Sequence, residues 1–262
     1  MKHLIKKEEL RRIQIAILND VASFCDENGI TYFLSYGTLL GAIRHNGFIP
    51  WDDDIDIVMP RPDYNRFISL YNYRKSDYKV LHFSFDKTYK LPFAKVHDTR
   101  TVMWEYLYKQ NSTGVFVDVF PLDGVPKHGF YRFINRWLTR FLNTKAAVIN
   151  SDRSIGKNII INIGKVLLLP IPTIKILQCM EKIGGLYDYK SSDYVGLTIL
   201  NVKEIINKSY FEETIYHIFE GNYYKIPKGY DPYLRQLYGE YMTPPSEGER
   251  ESTHKFIAWW KE

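Results

Sequence analysis

The sequence predicts an α+β fold, a mixed β-sheet core flanked by helices and followed by a mainly helical second half. Three observations lead there. Leu10, Ile13, Ile17, Val21 and Phe24 step by three or four residues, the spacing of one helix face. Short β-branched and aromatic segments then recur between about residues 30 and 120, as strands do. From Phe130 to about Ile183 the apolar spacing turns helical, with few strand signals. The 262 residues, 45% of them apolar, suffice for one substantial core and at most two domains. The division falls near residue 128, giving regions 1–128 and 129–262.

In chain order, the opening amphipathic helix ends at Gly29, which tolerates the left-handed conformation of a helix stop. Ile30 to Leu34 reads as a short strand, and Ser35 to Thr38 as a glycine turn leading into a short helix from Leu39 to Arg44. His45-Asn46-Gly47 makes a turn. Trp51 to Met59 reads as a strand in which Asp54, Asp56 and Val58 share one face and Ile55, Ile57 and Met59 the other. Pro60 and Pro62 stop it, and Asp63 can cap a helix with Tyr64, Phe67, Ile68 and Tyr71 on its apolar side. Strands follow at Tyr78–Phe83, Phe93–His97, Thr101–Trp104 and Val115–Phe120. From Tyr210 onward helix-like pieces alternate with aromatic, Pro- and Gly-bearing loops.

Composition excludes several classes. Net charge is +5, from 35 Lys and Arg against 30 Asp and Glu, a modest excess that suits anionic partners. No basic run or nucleic-acid motif occurs, so nucleic acid is not an expected partner. The two cysteines, Cys25 and Cys179, exclude an all-cysteine zinc site; both are expected to be buried free thiols. The N-terminus lacks an apolar run of signal-peptide length. Ile159 to Leu177 is the most apolar stretch, but prolines, lysines, Asn162 and Gly164 interrupt it, short of the roughly 20 apolar residues of a spanning helix. It reads as a core helix first and as an amphipathic element on a membrane surface second.

The chemistry concentrates in two stretches. Gly37, Thr38 and Gly41 lie where a strand meets a helix, and there backbone N–H groups can approach phosphate oxygens, with the helix dipole adding attraction. Four aspartates, Asp52, Asp53, Asp54 and Asp56, then fall within five residues. Asp54 and Asp56 on one strand face would lie about 7 Å apart and could both reach a magnesium ion, a hard cation that takes carboxylate, phosphate and water oxygens. A solvated acidic turn is the plainer alternative, but the repulsion among four acids is relieved by a cation. Asp118, set among Phe116, Val117, Val119 and Phe120, is the candidate third carboxylate, since a lone buried acid is costly without a partner.

Tyr36-Gly37-Thr38-Leu39-Leu40-Gly41-Ala42-Ile43-Arg44-His45, Gly47-Phe48-Ile49-Pro50-Trp51-Asp52-Asp53-Asp54-Ile55-Asp56-Ile57 and Phe116-Val117-Asp118-Val119-Phe120-Pro121-Leu122-Asp123-Gly124 together resemble the LicD family of phosphotransferases. That family is related to fukutin-type proteins and, more distantly, to nucleotidyltransferases. Phe93-Ala94-Lys95-Val96 and Tyr238 to Pro245 are weaker echoes, and Phe130 to Asn201 carries no matching motif. The resemblance implies a nucleotidyltransferase-like core that transfers phosphocholine, or a similar phosphorylated alcohol, from CDP-choline or a related CDP-alcohol. The acceptor would be a sugar hydroxyl of a glycan or lipid-linked oligosaccharide, such as a teichoic acid or lipopolysaccharide precursor, and CMP would leave.

By the same resemblance, Asp54, Asp56 and Asp118 are the catalytic and metal-binding acids, for Mg2+ or Mn2+. Gly37 and Thr38 contact the donor phosphate, and Arg44, His45 and Lys95 are further phosphate-binding candidates, because cations beside a transferring phosphoryl group stabilise its charge. The protein is expected in the cytoplasm or at the inner face of the membrane. A nucleotidyltransferase releasing pyrophosphate and a non-catalytic binding protein of the same fold are the alternatives.

Overall fold

The computed structural model describes residues 3–105, 113–127, 131–147, 154–197, 204–246, 248, 250 and 256–262. Helix α1, Lys7–Glu27, buries Leu10, Ile13, Ile17, Val21 and Phe24 as their spacing predicts, together with Leu18. The chain leaves it through Gly29 at φ 59°. Strand β1 is only Phe33–Leu34. Helix α2 runs Tyr36–His45, so the residues read as a glycine turn form its first turn. Asn46 closes α2 in the left-handed conformation.

Strand β2, Asp56–Pro60, leads directly into α3, Arg61–Leu70, with proline in its first turn. Asp63 does not cap α3; its carboxylate accepts from the Thr31 N–H. Tyr64, Phe67 and Tyr71 are fully buried, the stripe the sequence suggests. Strands β3 (Tyr78–Leu81), β4 (Ala94–Asp98), β5 (Thr101–Glu105) and β6 (Phe116–Val125) follow.

Beyond them lie helices α4 (Tyr131–Ala146), α5 (Ile155–Leu167) and α6 (Thr173–Gly184). The reading of a mainly helical second half holds up to Gly184 and fails after it. Strands β7 (Tyr194–Gly196), β8 (Ile206–Asn207), β9 (Thr214–Phe219), β10 (Asn222–Pro227) and β11 (Phe256–Trp260) come next, with a short 3-10 turn at Lys208–Phe211 and the α-helix α7 (Tyr230–Tyr238) among them. The β9–β10 hairpin turns on Glu220 at φ 49° and Gly221 at φ 78°. Two positive φ values in a two-residue loop are what a tight antiparallel connection needs, and asparagine usually takes the first place. Glutamate there hides the hairpin from a sequence reading.

The main sheet runs β1-β2-β6-β4-β3, and the end of β6 continues through β7 to β8. Among the described residues only the β2–β6 pairing is parallel in this sheet. Parallel neighbours need a long return path, here the chain through α3, β3, β4 and β5. Helices α1 and α3 pack on the sheet. All ten residues of β6 are buried, consistent with a central strand. The pairings of β6 with β7 and of β5 with β11 cross position 128.

Two further expectations are corrected. Cys25 is buried but Cys179 is exposed, both free, because α6 turns Ile176, Leu177 and Met180 inward instead. The core reading of Ile159 to Leu177 holds for α6 and not for α5, which has no fully buried residue. Among the described residues no helix is long and apolar enough to cross a membrane.

Candidate active site

The register of the sheet sets the acids side by side. Asp56 on β2 pairs with Asp118 on β6, and Asp118 pairs in turn with Lys95 on β4. Paired residues of neighbouring strands project to the same face, so two carboxylates and an ammonium form a row across three strands. The Asp118 N–H donates to the Ile55 carbonyl at 2.9 Å, and Lys95 Nζ lies 3.1 Å from Asp118 Oδ1 and over the Phe116 ring. The side chains of Lys95 and Asp118 are both largely buried. Burial and repulsion from Asp54, Asp118 and Asp52 push the Asp56 carboxyl well above its usual range, with Lys95 opposing.

Asp54 is not on the strand. The sequence reading extends β2 back to Trp51, but pairing begins at Asp56, because α1 captures the preceding backbone. Arg11 Nη2 donates to the carbonyls of Ile49 and Asp52 at 3.1 and 2.8 Å, and Gln14 Nε2 donates to that of Asp53 at 2.9 Å. Carbonyls satisfied by helix side chains have no need of a strand neighbour. The loop thereby gathers Asp52, Asp53 and Asp54, each with a carboxylate oxygen within 4.8 Å of the others. Burial, then repulsion from Asp54, raises the Asp52 carboxyl to about 7. Asp52 was legible as one acid among four; its place in the cluster was not.

Helix α2 stands over the cluster. Its first residue, Tyr36, takes φ 48°, a conformation that costs a non-glycine residue energy and recurs at functional sites. A Cβ on Gly37 would come within 2.5 Å of Asp52 Oδ2, and one on Gly41 within 2.4 Å of the Gly47 carbonyl oxygen. Gly37 thus makes room for an acid, whereas Gly41 makes room for backbone. Thr38 is buried, and its hydroxyl accepts from the Asp56 N–H at 2.8 Å, tying the helix start to the strand start.

Arg44 and His45 lie at the other end of α2, about 10 Å along its axis from Gly37 at 1.5 Å per residue. There Arg44 donates to His45 Nε2 and to the Tyr241 carbonyl. The turn after them is held by the β9–β10 hairpin: Glu220 accepts from the Phe48 N–H at 3.0 Å, and its own N–H donates to the Asn46 carbonyl.

Aromatic rings continue the face carrying Asp118. Phe120, two residues on, meets Tyr36 edge-on at 5.9 Å and Phe93 at 4.5 Å between centroids. Tyr36 Oη donates to Glu204 Oε2 at 2.7 Å, and the Ser35 hydroxyl and Tyr233 Oη share a hydrogen bond at 2.7 Å. Burial raises the Glu204 carboxyl to about 7. Glu204 and Tyr233 come from beyond the unmatched middle of the chain, and no local pattern marked them.

Residues 29–146 match the family model described as "LicD/FKTN/FKRP, nucleotidyltransferase domain", a span that holds the Asp52–Asp56 cluster, Lys95 and Asp118. Over an alignment of 264 positions the chain is 32% identical to the lipopolysaccharide cholinephosphotransferase LicD of Haemophilus influenzae, covering 95% of this chain and 97% of that protein. A shorter likeness, 29% identity over 116 residues, covers 44% of this chain and 41% of an uncharacterized protein of Rickettsia prowazekii.

Proposed function

Because the chain belongs to the LicD family, we propose that it transfers phosphocholine, or a similar phosphorylated alcohol, from CDP-choline or a related CDP-alcohol to a sugar hydroxyl, releasing CMP. The acceptor in this reading is a cell-surface glycan precursor such as teichoic acid or lipopolysaccharide, and the reaction is cytoplasmic. The name of the Haemophilus relative, full-length in its likeness, supports the headgroup and the kind of acceptor. A nucleotidyltransferase-like core spanning residues 1–128, with 129–262 completing the site, is the architecture that goes with it.

The observation that carries the proposal is the row Asp56, Asp118, Lys95 beside the Asp52–Asp54 loop. Crowded carboxylates with raised proton affinity suit a hard divalent cation, Mg2+ or Mn2+, which Asp54, Asp56 and Asp118 would hold, with Asp52 adjacent. When bound, such a cation neutralises charge on the donor phosphates. The residues of the chain do the rest. Asp118, fixed by Lys95, accepts the proton of the acceptor hydroxyl; that oxygen bonds to the choline-bearing phosphorus as the bond to CMP breaks. Backbone N–H groups at Gly37 and Thr38 face the donor phosphate at the α2 N-terminus. Tyr36, Phe93 and Phe120 offer aromatic faces to a quaternary ammonium, with Glu204 hydrogen-bonded to Tyr36.

The test is CMP release from CDP-choline, with magnesium and a cell-derived glycan acceptor, by the wild-type protein and by Asp56→Ala. Magnesium-dependent release that is lost in the variant is expected. Pyrophosphate release from CTP would replace headgroup transfer by nucleotidyl transfer. Activity with CDP-ribitol or CDP-glycerol alone would keep the mechanism and change the headgroup.

A further inference from the structure

Helix α5 is amphipathic in the opposite sense to an ordinary surface helix, whose apolar stripe faces the core. At 100° per residue, Ile155, Ile159, Ile160, Ile163, Val166 and Leu167 fall within an arc of about 140°, and every one of them is more than half exposed. The other side of α5 faces the protein. Gly164 approaches Thr144 of α4, and Lys145 Nζ donates to the Leu168 carbonyl at 2.7 Å. The exposed face continues past the helix end at Leu169, 71% exposed. A contiguous apolar surface of this kind marks an interaction site.

The charge of the region says what covers it. Between Asp123 and Glu181 lie nine lysines and arginines and a single acid, Asp152. The whole chain carries only +5, so everything outside this segment is net negative. Lys157 and Lys175 are exposed on α5 and α6, and Arg136 and Arg140 on the neighbouring α4. A second copy of the chain would bring the same cationic excess to the contact and repel it. An anionic bilayer supplies both an apolar layer for the isoleucines and phosphates for the bases.

We propose that α5 docks this protein on the surface of an anionic lipid bilayer, its apolar face entering the headgroup boundary and the bases of α4 to α6 meeting lipid phosphates. This stands on the placement of α5 and on charge alone, and its test uses no substrate. Full-length protein is sedimented with vesicles of equal parts phosphatidylglycerol and phosphatidylcholine, and with pure phosphatidylcholine vesicles, at low ionic strength; its mass in solution is measured by light scattering. A monomer that binds the anionic vesicles, loses binding in Ile159→Asp/Ile163→Asp, and weakens about fivefold in Lys157→Gln is expected. Both variants change exposed side chains, and an unchanged circular dichroism spectrum shows that they fold. Absence of binding to the anionic vesicles, equal binding by the double variant, or a stable dimer that the double variant dissociates would each overturn the proposal.

Discussion

Asp56 on β2 and Asp118 on β6 are register partners across the parallel pair of the main sheet, although 62 positions separate them in the sequence. Two acids held on one face by backbone pairing have fixed spacing, whatever their side chains do. The proposed chemistry rests on that spacing.

Removing either acid should therefore separate folding from activity. Asp118→Asn keeps shape and hydrogen-bonding capacity but cannot take a proton, so turnover should fall by about 10²–10⁴-fold. Asp56, which Asp118 repels, remains as a counter-charge for the buried Lys95, so the unfolding midpoint should stay within a few degrees of wild type. CMP release and thermal melts on the same preparation check this. Undiminished turnover would remove Asp118 from the reaction.

Gly37 and Gly41 lie one helical turn apart and should respond differently to alanine. At Gly41 the added methyl meets the Gly47 backbone, which cannot move aside, so Gly41→Ala should destabilise by about 1–3 kcal/mol, as overpacking does. At Gly37 it meets Asp52 Oδ2, the far oxygen of a side chain whose other oxygen accepts from the Asp53 N–H. Gly37→Ala should leave stability nearly unchanged and weaken magnesium binding instead. Urea unfolding and metal titration distinguish the two.

Stability should fall as pH rises from 6.5 to 8.5. Asp52 and Glu204 are raised to about 7 from 3.8 and 4.5, and Asp56 is raised well above 3.8, so the native state binds protons that the unfolded chain releases earlier. Such groups lose stability as pH climbs through their native values. His82 and His97, lowered to about 4 by burial, act in the opposite sense, but only between about 4 and 6.5, where they offset part of what the three acids lose. The fall is therefore shallow there and steepens above pH 6.5. Magnesium should reverse part of it at pH 8, and Glu204→Gln, which keeps an acceptor for Tyr36, should melt higher than wild type there. A melting temperature that rises over this range would contradict the assignment.

Arg61 and Asp123 form a buried pair: Arg61 Nε and Nη2 meet the two Asp123 oxygens, and Arg61 Nη1 donates to Glu181 at 2.9 Å. This fork joins the start of α3, the end of β6 and α6. Asp123→Ala leaves a buried guanidinium short of its main partner and should cost about 3–5 kcal/mol, far more than Asp118→Asn. Denaturant midpoints of the two variants provide the comparison.

Local periodicity carried much of this fold. The three- and four-residue steps of α1, the buried stripe of α3, the apolar run of β6 and the helices up to Gly184 are written in neighbouring side chains, because helix and strand geometry fix which neighbours share a face. The aspartates and glycines of the site were visible for the same reason: their density within a few residues is a property of the chain alone. Tertiary structure decided the rest. Which strand lies beside β2 depends on the return path of the chain, so no local pattern could pair Asp56 with Asp118 or bring Lys95 to them. Capture of the Ile49, Asp52 and Asp53 carbonyls by Arg11 and Gln14 moved Asp54 off the strand. Glu204 and Tyr233 reached the site, and α5 turned its isoleucines outward, because the packing of distant elements determines which surface each residue meets.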